Sequence, residues 1–547
     1  MQPIPSHLET TLQRERIGQL TVGRHLLSVG STLGTLITAA TEHNPTIEPQ
    51  LTFSFQVPRA FSGLLGRQAE IEASLAALKA RQHVELCGES GIGKTTLLRH
   101  LAHHPNVTTS HADGILYLTE HQPAGDRLQT LFDIFYSTTP ACRPSDREIS
   151  QALADKQLLI LLDDPKLSRE DLQRLMDVLP ESTFVIASLA QRSQGKAQVI
   201  ELEGLPFAES LALMERELGR SIPSERLKAA ESIWQILQGH PHRLLQTAAM
   251  LREDKASLLQ VADQLEEGGE RSLTRMILTT LPKTQRWIVA ALVAMREVGL
   301  LSEQVAAITG PPNPQPSLQA LVKRYLVQIE GHRYRLSPSL VEVLQDDFNP
   351  TPWMERVLGY LVPWAEMHRL TPEALLTERG VILHSLHWAI EKERYAEALR
   401  LVRSLEGSLL LTKQWETCQQ VLQWGLQASW ALEDQTSEAW ALHERGTLAL
   451  CQEDLTTAYD AFSQALRLRS AIADQAATTL TQHNQGQLKL LTLPALSDRR
   501  MFGGGVRVYV ALGVVSLLVF GISGWLGMVI SSRLNPPTIN STIDPDR

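Results

Sequence analysis

The sequence predicts an α/β domain built on a doubly wound parallel sheet, followed by a long α-helical region. Three observations carry this. Gly88-Glu89-Ser90-Gly91-Ile92-Gly93-Lys94-Thr95 fits the pattern G-x-x-x-x-G-K-[ST] between a strand-like run, His83–Cys87, and a helix-like run, Thr96–Ala102. Leu158–Leu162 is an unbroken apolar run, the pattern of a strand buried on both faces, and it ends in Asp163-Asp164. After about residue 206 the helix formers Leu, Ala, Gln, Glu and Arg dominate.

The glycine-rich loop is the element with the clearest chemistry. Glycine tolerates the backbone angles needed to wrap a phosphate chain. The exposed N–H groups of Gly88 to Thr96 and the helix start behind them then form an anion site. Lys94 would reach the β- and γ-phosphates, and the Thr95 hydroxyl would take a Mg²⁺ position. Asp163 stands where open α/β sheets bind ligands, at the C-terminal end of a parallel strand. It is the expected partner of Mg²⁺, and Asp164 is placed to polarise an attacking water. Asp164-Pro165 also has the composition of a simple turn. Gly114–Leu118 and Thr183–Ala187 read as two further strands, and their alternation with helical stretches favours a parallel sheet.

The remaining elements follow in chain order. Residues 1–60 form an extension without evident chemistry: Leu8–Ala40 reads as one or two helices weakened by Gly30 and Gly34, and Asn44–Pro58 as an extended linker. The nucleotide domain spans 61–204. A small helical domain, 205–275, opens at Leu205-Pro206, and inside it Gly239 stops one helix and Pro241 opens the next. Residues 276–350 give three helices and then a hairpin turning at Glu330-Gly331. Residues 351–491 are helical. There Gly446, Ala458, Phe462 and Ala465 fall at the spacing of a tetratricopeptide (TPR) repeat, whose stacked helices offer a concave protein-binding face. Residues 492–507 form a linker.

Val508–Ile530 contains no charged residue and is long enough to span a bilayer. Lys489, Arg499, Arg500 and Arg507 precede it, and only Arg533 and Arg547 follow, so the body of the chain is expected in the cytoplasm. The tail is 531–547. Ser523, Gly527 and Ser531 share one helix face, as in helices that pair closely, although Gly and Ser are common in such spans generally. The formal charge of −9 gives no broad electrostatic case for nucleic acid. Four scattered cysteines, without a C-x-x-C pair, fit a reducing compartment and neither a disulfide framework nor a zinc site.

The order Gly66-Arg67, phosphate loop, Asp163-Asp164, Leu205-Pro206, Gly239-His240-Pro241 resembles the STAND class of signalling P-loop NTPases, and its NB-ARC-like branch in particular, over roughly Phe61–Leu344. The resemblance implies a helical domain and a winged helix after the NTPase domain, then a sensor array. It implies ATP or ADP with Mg²⁺ as ligands, Gly66 and Arg67 near the adenine, and Pro241 packed against it. It also implies a slow ATPase switch in which a protein partner binds the array and opening promotes self-association. Two positions depart from the pattern. Ser188-Leu189 replaces a Ser/Thr-Arg sensor, with Arg192 the nearest arginine, and Ser337-Pro338 replaces a His-Asp or His-Glu pair after the hairpin. The missing arginine keeps open a nucleotide-binding scaffold with little hydrolysis. Lys323, Arg324, His332, Arg333 and Arg335 keep open a winged-helix DNA-binding regulator, which the charge disfavours.

Overall fold

The computed structural model describes residues 16–22, 25–30, 33–39, 46–50, 57–61, 63–108, 111–119, 122–139, 142–163, 167–193, 195–253, 256–345 and 348–492. Residues 1–485 form one compact unit and residues 486–547 a second. Asp164 and the apolar segment 508–530 lie outside the described residues. Among those described, no helix is long and apolar enough to cross a membrane.

The central sheet has five parallel strands: β5 (His83–Cys87), β6 (Gly114–Leu118), β8 (Leu158–Asp163), β9 (Thr183–Ser188) and β10 (Ala197–Glu201), in the order β10-β5-β9-β8-β6. Alternate residues of one strand feed opposite faces. Leu158, Ile160 and Leu162 join a core with Leu128, Phe132, Leu172 and Leu175. Leu159 and Leu161 join the other core, with Leu78, Leu97, Leu98 and Leu101. Both faces of β8 are thus covered by helices, which is why its sequence does not alternate. β5 and β8 flank β9, so the phosphate loop after β5 and Asp163 at the end of β8 meet at one edge of the sheet.

The segment read as a winged helix holds three helices and a three-stranded sheet. Helices Lys283–Met295, Ser302–Thr309 and Gln315–Lys323 are followed by the hairpin β12 (Val327–Glu330) and β13 (Arg333–Leu336), and β11 (Leu300–Leu301) pairs with β13. The helices Tyr395–Leu411, Trp415–Ala431, Gln435–Cys451, Leu455–Ala471 and Gln475–Thr492 then form the array. The turns carry a left-handed residue at Glu393, Lys413, Glu433, Glu453 and Ala473, a spacing of 20 residues. The helix pair is therefore longer than the roughly 34-residue TPR unit. The small-residue contact expected from the sequence does form: a Cβ at Gly446 would lie 2.8 Å from the Phe462 ring.

The N-terminal extension differs from its helical expectation. β1 (Arg16–Val22), β2 (His25–Gly30) and β3 (Leu36–Ala39) form an antiparallel meander. The alternating and β-branched residues Leu20-Thr21-Val22 and Leu36-Ile37-Thr38 suit a pleated surface, and the meander packs against the array rather than standing alone. The expected linker contains another strand, β4 (Thr46–Pro49), paired antiparallel with β7 (Tyr136–Thr139), which directly follows the helix Ala124–Phe135.

Candidate functional site

The phosphate loop is bent by Gly88, Gly91 and Gly93, at φ of 147°, 89° and 111°. Gly93 caps the helix Lys94–Ala102, so the loop runs directly into the positive end of the helix dipole. Lys94 Nζ donates to the carbonyls of Gly88 (2.7 Å) and Glu89 (2.8 Å). Thr95 Oγ1 donates to Asp163 Oδ1 at 2.8 Å, and the Tyr117 hydroxyl donates to Asp163 Oδ2 at 2.7 Å. Burial, helped by the Asp163 charge, holds the Tyr117 phenol well above its usual range, so it remains a donor. A hydroxyl and a carboxylate side by side form a hard oxygen pair that fits Mg²⁺. Among the described residues no group of three or more His, Cys, Asp or Glu is arranged around a metal.

A cleft of about 680 Å³ adjoins the loop, lined by Gly88, Glu89, Ile92, Leu205, Pro206, Trp234, His240 and Arg243 among others. The apolar wall from Leu205, Pro206 and Trp234 suits a flat base, while the loop suits phosphate. Gly66, Arg67 and Pro241 are not among the lining residues. Gly66 packs on Glu209 and Leu205. Arg67 is buried, paired with Glu70 at 2.8 Å and donating to the carbonyls of Ile92 (3.1 Å) and Glu203 (2.6 Å). It ties the loop to the strand end that forms the cleft wall. Pro241 opens the helix Pro241–Arg252, and its neighbour His240 makes the contact with the loop.

His240 Nε2 lies 3.0 Å from the Ser90 carbonyl. Burial and nearby Arg243 push its pKa down to about 3, so the ring is neutral and donates through Nε2. A Cβ at Gly91 would lie 2.8 Å from His240 Cε1, 3.0 Å from His242 Cβ and 3.4 Å from Ser339 Cβ. Glycine here allows the small helical domain and the last winged-helix segment to touch the same loop residue. Arg243 is 2.5 Å from Glu270 and 3.7 Å from Glu89 of the loop. Ser337, at the departure from the family pattern, donates to the Tyr325 carbonyl at 2.9 Å, and Gln246 donates to the same oxygen at 3.1 Å. Gln246 thus joins the helix Pro241–Arg252 to the base of the hairpin, at the carbonyl that Ser337 also uses.

Glu85 escapes a sequence reading. It is fully buried in β5 and accepts from Ser188 Oγ (2.9 Å), Arg192 N (2.8 Å) and Ser193 N (3.0 Å). It fixes the loop after β9, and the Arg192 guanidinium donates to the Leu167 carbonyl at 2.7 Å. A charged residue inside an otherwise buried strand was the available signal. The basic residues of the winged helix are largely engaged within the chain: Arg324 with Glu253 (2.6 Å), Arg333 with Glu378 (2.7 Å) and Arg335 with Glu330 (3.4 Å).

A phosphate loop, a hydroxyl–carboxylate metal position and a sheet of this order define a P-loop NTPase. Residues 67–217 match the NB-ARC domain family. Residues 67–217 therefore carry an NB-ARC domain. None of the curated proteins matches the sequence. Similar solved structures include a STAND protein with a tetratricopeptide-repeat sensor from Pyrococcus horikoshii, at 13% identity, covering 80% of this chain and 76% of that one, with a TM-score of 0.41. A Walker-type ATPase of Pyrococcus abyssi (17% identity, 53% and 99% coverage, TM-score 0.26) and a Thermotoga maritima RuvB mutant (16%, 53% and 98%, 0.25) are also similar.

Proposed function

We propose that this chain is an ATP/ADP-controlled signalling switch with slow hydrolysis, in which nucleotide in the cleft holds a closed form. The observation that carries the reading is the convergence on Gly91, where two domains contact the phosphate loop directly. A ligand seated in that loop must interact differently with the closed and open arrangements, and only such a difference shifts a two-state equilibrium. In this reading the loop N–H groups from Gly88 to Thr96 and Lys94 hold the phosphates. Thr95 and Asp163 hold Mg²⁺, which supplies charge neutralisation to phosphoryl transfer. Asp164 orients the attacking water. Arg67, Gly66 and Pro241 act from behind the cleft wall by shaping it.

The array is the partner-sensing part, and opening promotes self-association. The segment Val508–Ile530 tethers the chain, with the larger part on the cytoplasmic side; its uncharged composition and the preceding basic residues support this. Carbonate extraction of membranes from expressing cells tests the tether, with recovery in the soluble fraction counting against it.

The switch is tested on the full chain by identifying the nucleotide that co-purifies and following turnover beside Lys94→Ala. Retained ADP with slow turnover that Lys94→Ala abolishes is expected. A folded protein that binds no nucleotide would sink the switch. Binding without turnover would leave a nucleotide-binding scaffold.

A further inference from the structure

The inner face of the array holds a stretch of the chain's own N-terminal meander as it would hold a peptide. Asn484 makes a two-point clamp: Oδ1 accepts from the Ile37 amide at 3.0 Å and Nδ2 donates to the Thr35 carbonyl at 2.7 Å. Glu444 accepts from the Thr35 amide at 2.8 Å. His443 Nε2 is 3.0 Å from the Thr35 carbonyl, and His483 Nε2 is 2.8 Å from the Ile37 carbonyl. Residues 35 and 37 expose their main-chain groups on one edge of β3, while the other edge pairs with β2. Side chains from two array helices therefore take the place of a next strand. Leu36 adds an apolar contact with Leu480, and Gly34 leaves no room for a side chain, since a Cβ there would lie 2.5 Å from Glu444 Oε1.

The composition of this interface separates it from an ordinary domain core. His443, Glu444 and Asn484 are essentially fully buried, and what they grip is backbone, which every polypeptide has. A permanent core is cheaper to build from apolar residues, because buried polar groups cost free energy whenever a partner is missing. A groove that must accept more than one extended segment needs such groups. We propose that this inner face is a binding site for an extended polypeptide segment, that Leu33–Ala39 fills it in the resting chain, and that the activating protein partner presents a competing segment with a small residue followed by two alternately buried positions.

The same segment also touches the nucleotide-binding domain. β4, a few residues further along the same segment, is paired to β7 beside the helix Ala124–Phe135. The array caps the other end of that helix, with Glu416 accepting from the Gly125 amide at 2.8 Å. The binding claim stands independently of the switch, but its consequence for turnover rests on that reading.

The test uses the full chain and a fluorescein-labelled peptide of the sequence Ser31–Ala39. A segment held in cis competes at an effective concentration near millimolar. Gly34→Val, which cannot seat beside Glu444, is expected to bind the labelled peptide at least about tenfold more tightly than the parent chain. Adding Asn484→Ala to Gly34→Val is expected to remove that gain. Equal affinity for the parent and Gly34→Val, or undiminished binding by the double variant, would overturn the proposal. A second measurement does not depend on the folding of Gly34→Val: hydrogen exchange at the Ile37 amide should accelerate at least about tenfold in Asn484→Ala alone, and unchanged exchange would overturn the clamp. If the peptide binds as expected while nucleotide turnover of Gly34→Val equals that of the parent, the groove stands and its coupling to turnover fails.

Discussion

The phosphate loop and the array groove solve opposite problems. The loop offers main-chain N–H groups of one short run, Gly88 to Thr96, to a ligand, whereas the groove offers side chains from distant helices to a main chain. The loop is held by local geometry, by positive φ at Gly88, Gly91 and Gly93 and by the helix behind them. The groove exists only because Glu444 and Asn484 reach residues 409 and 447 positions away. One site is fixed by its own chemistry. The other depends on assembly, and is for that reason the one suited to exchange its occupant.

The largest effect expected from breaking this contrast comes from acid. His240 is native at a pKa of about 3 and unfolded at 6.5, so between those values the unfolded chain binds more protons. The stability His240 contributes is whole above pH 6.5 and falls as the pH drops towards 3, by up to about 5 kcal/mol, and His242, lowered to about 4, acts in the same sense. Urea midpoints measured between pH 4 and 7 should show a shallower acid limb in His240→Gln than in the parent. Next, Lys94→Ala should weaken nucleotide binding roughly a hundredfold by calorimetry while leaving the thermal midpoint of the nucleotide-free chain within a few degrees. A large drop in that midpoint would mean that its bonds to Gly88 and Glu89 are structural.

At the array end, Asp126 accepts from the amides of Glu416 (3.0 Å) and Thr417 (2.9 Å), which start a helix of the array. Asp126→Ala should cost about 2 kcal/mol in denaturant unfolding, the upper range for a helix cap. If the two ends are coupled, it should also change nucleotide affinity; unchanged affinity would separate them. The smallest effect is expected from Gly446→Ala, whose methyl meets Phe462: about 1–2 kcal/mol of stability lost and no change in nucleotide affinity.

What the sequence disclosed follows the same division. The loop, β8 with Asp163, and the hairpin at Glu330-Gly331 are local patterns, and each appears where the spacing predicted it. The meander β1–β3 was not legible, because an amphipathic strand and a weak helix differ little over short stretches and its decisive partners lie in the last helices. The role of Arg67 was also hidden: its position beside Gly66 was visible, but the carbonyls of Ile92 and Glu203 that claim its guanidinium become neighbours only after folding. His240 lies within the motif Gly239-His240-Pro241, but its contact with the Ser90 carbonyl, 150 residues away, forms only on folding.

The clamp on Ile37 has a consequence for synthesis. At cellular elongation rates of about 5–20 residues per second, roughly 20–90 s separate the emergence of Ile37 from that of Asn484, 447 residues later. For that interval the edge of β3 has no partner from the array, and an uncovered strand edge is a template for pairing between chains. The meander, made well before the array, is thus among the last elements to be completed. A nascent chain stopped before its final helices would carry the residues of the phosphate-binding sheet together with an open β3 edge.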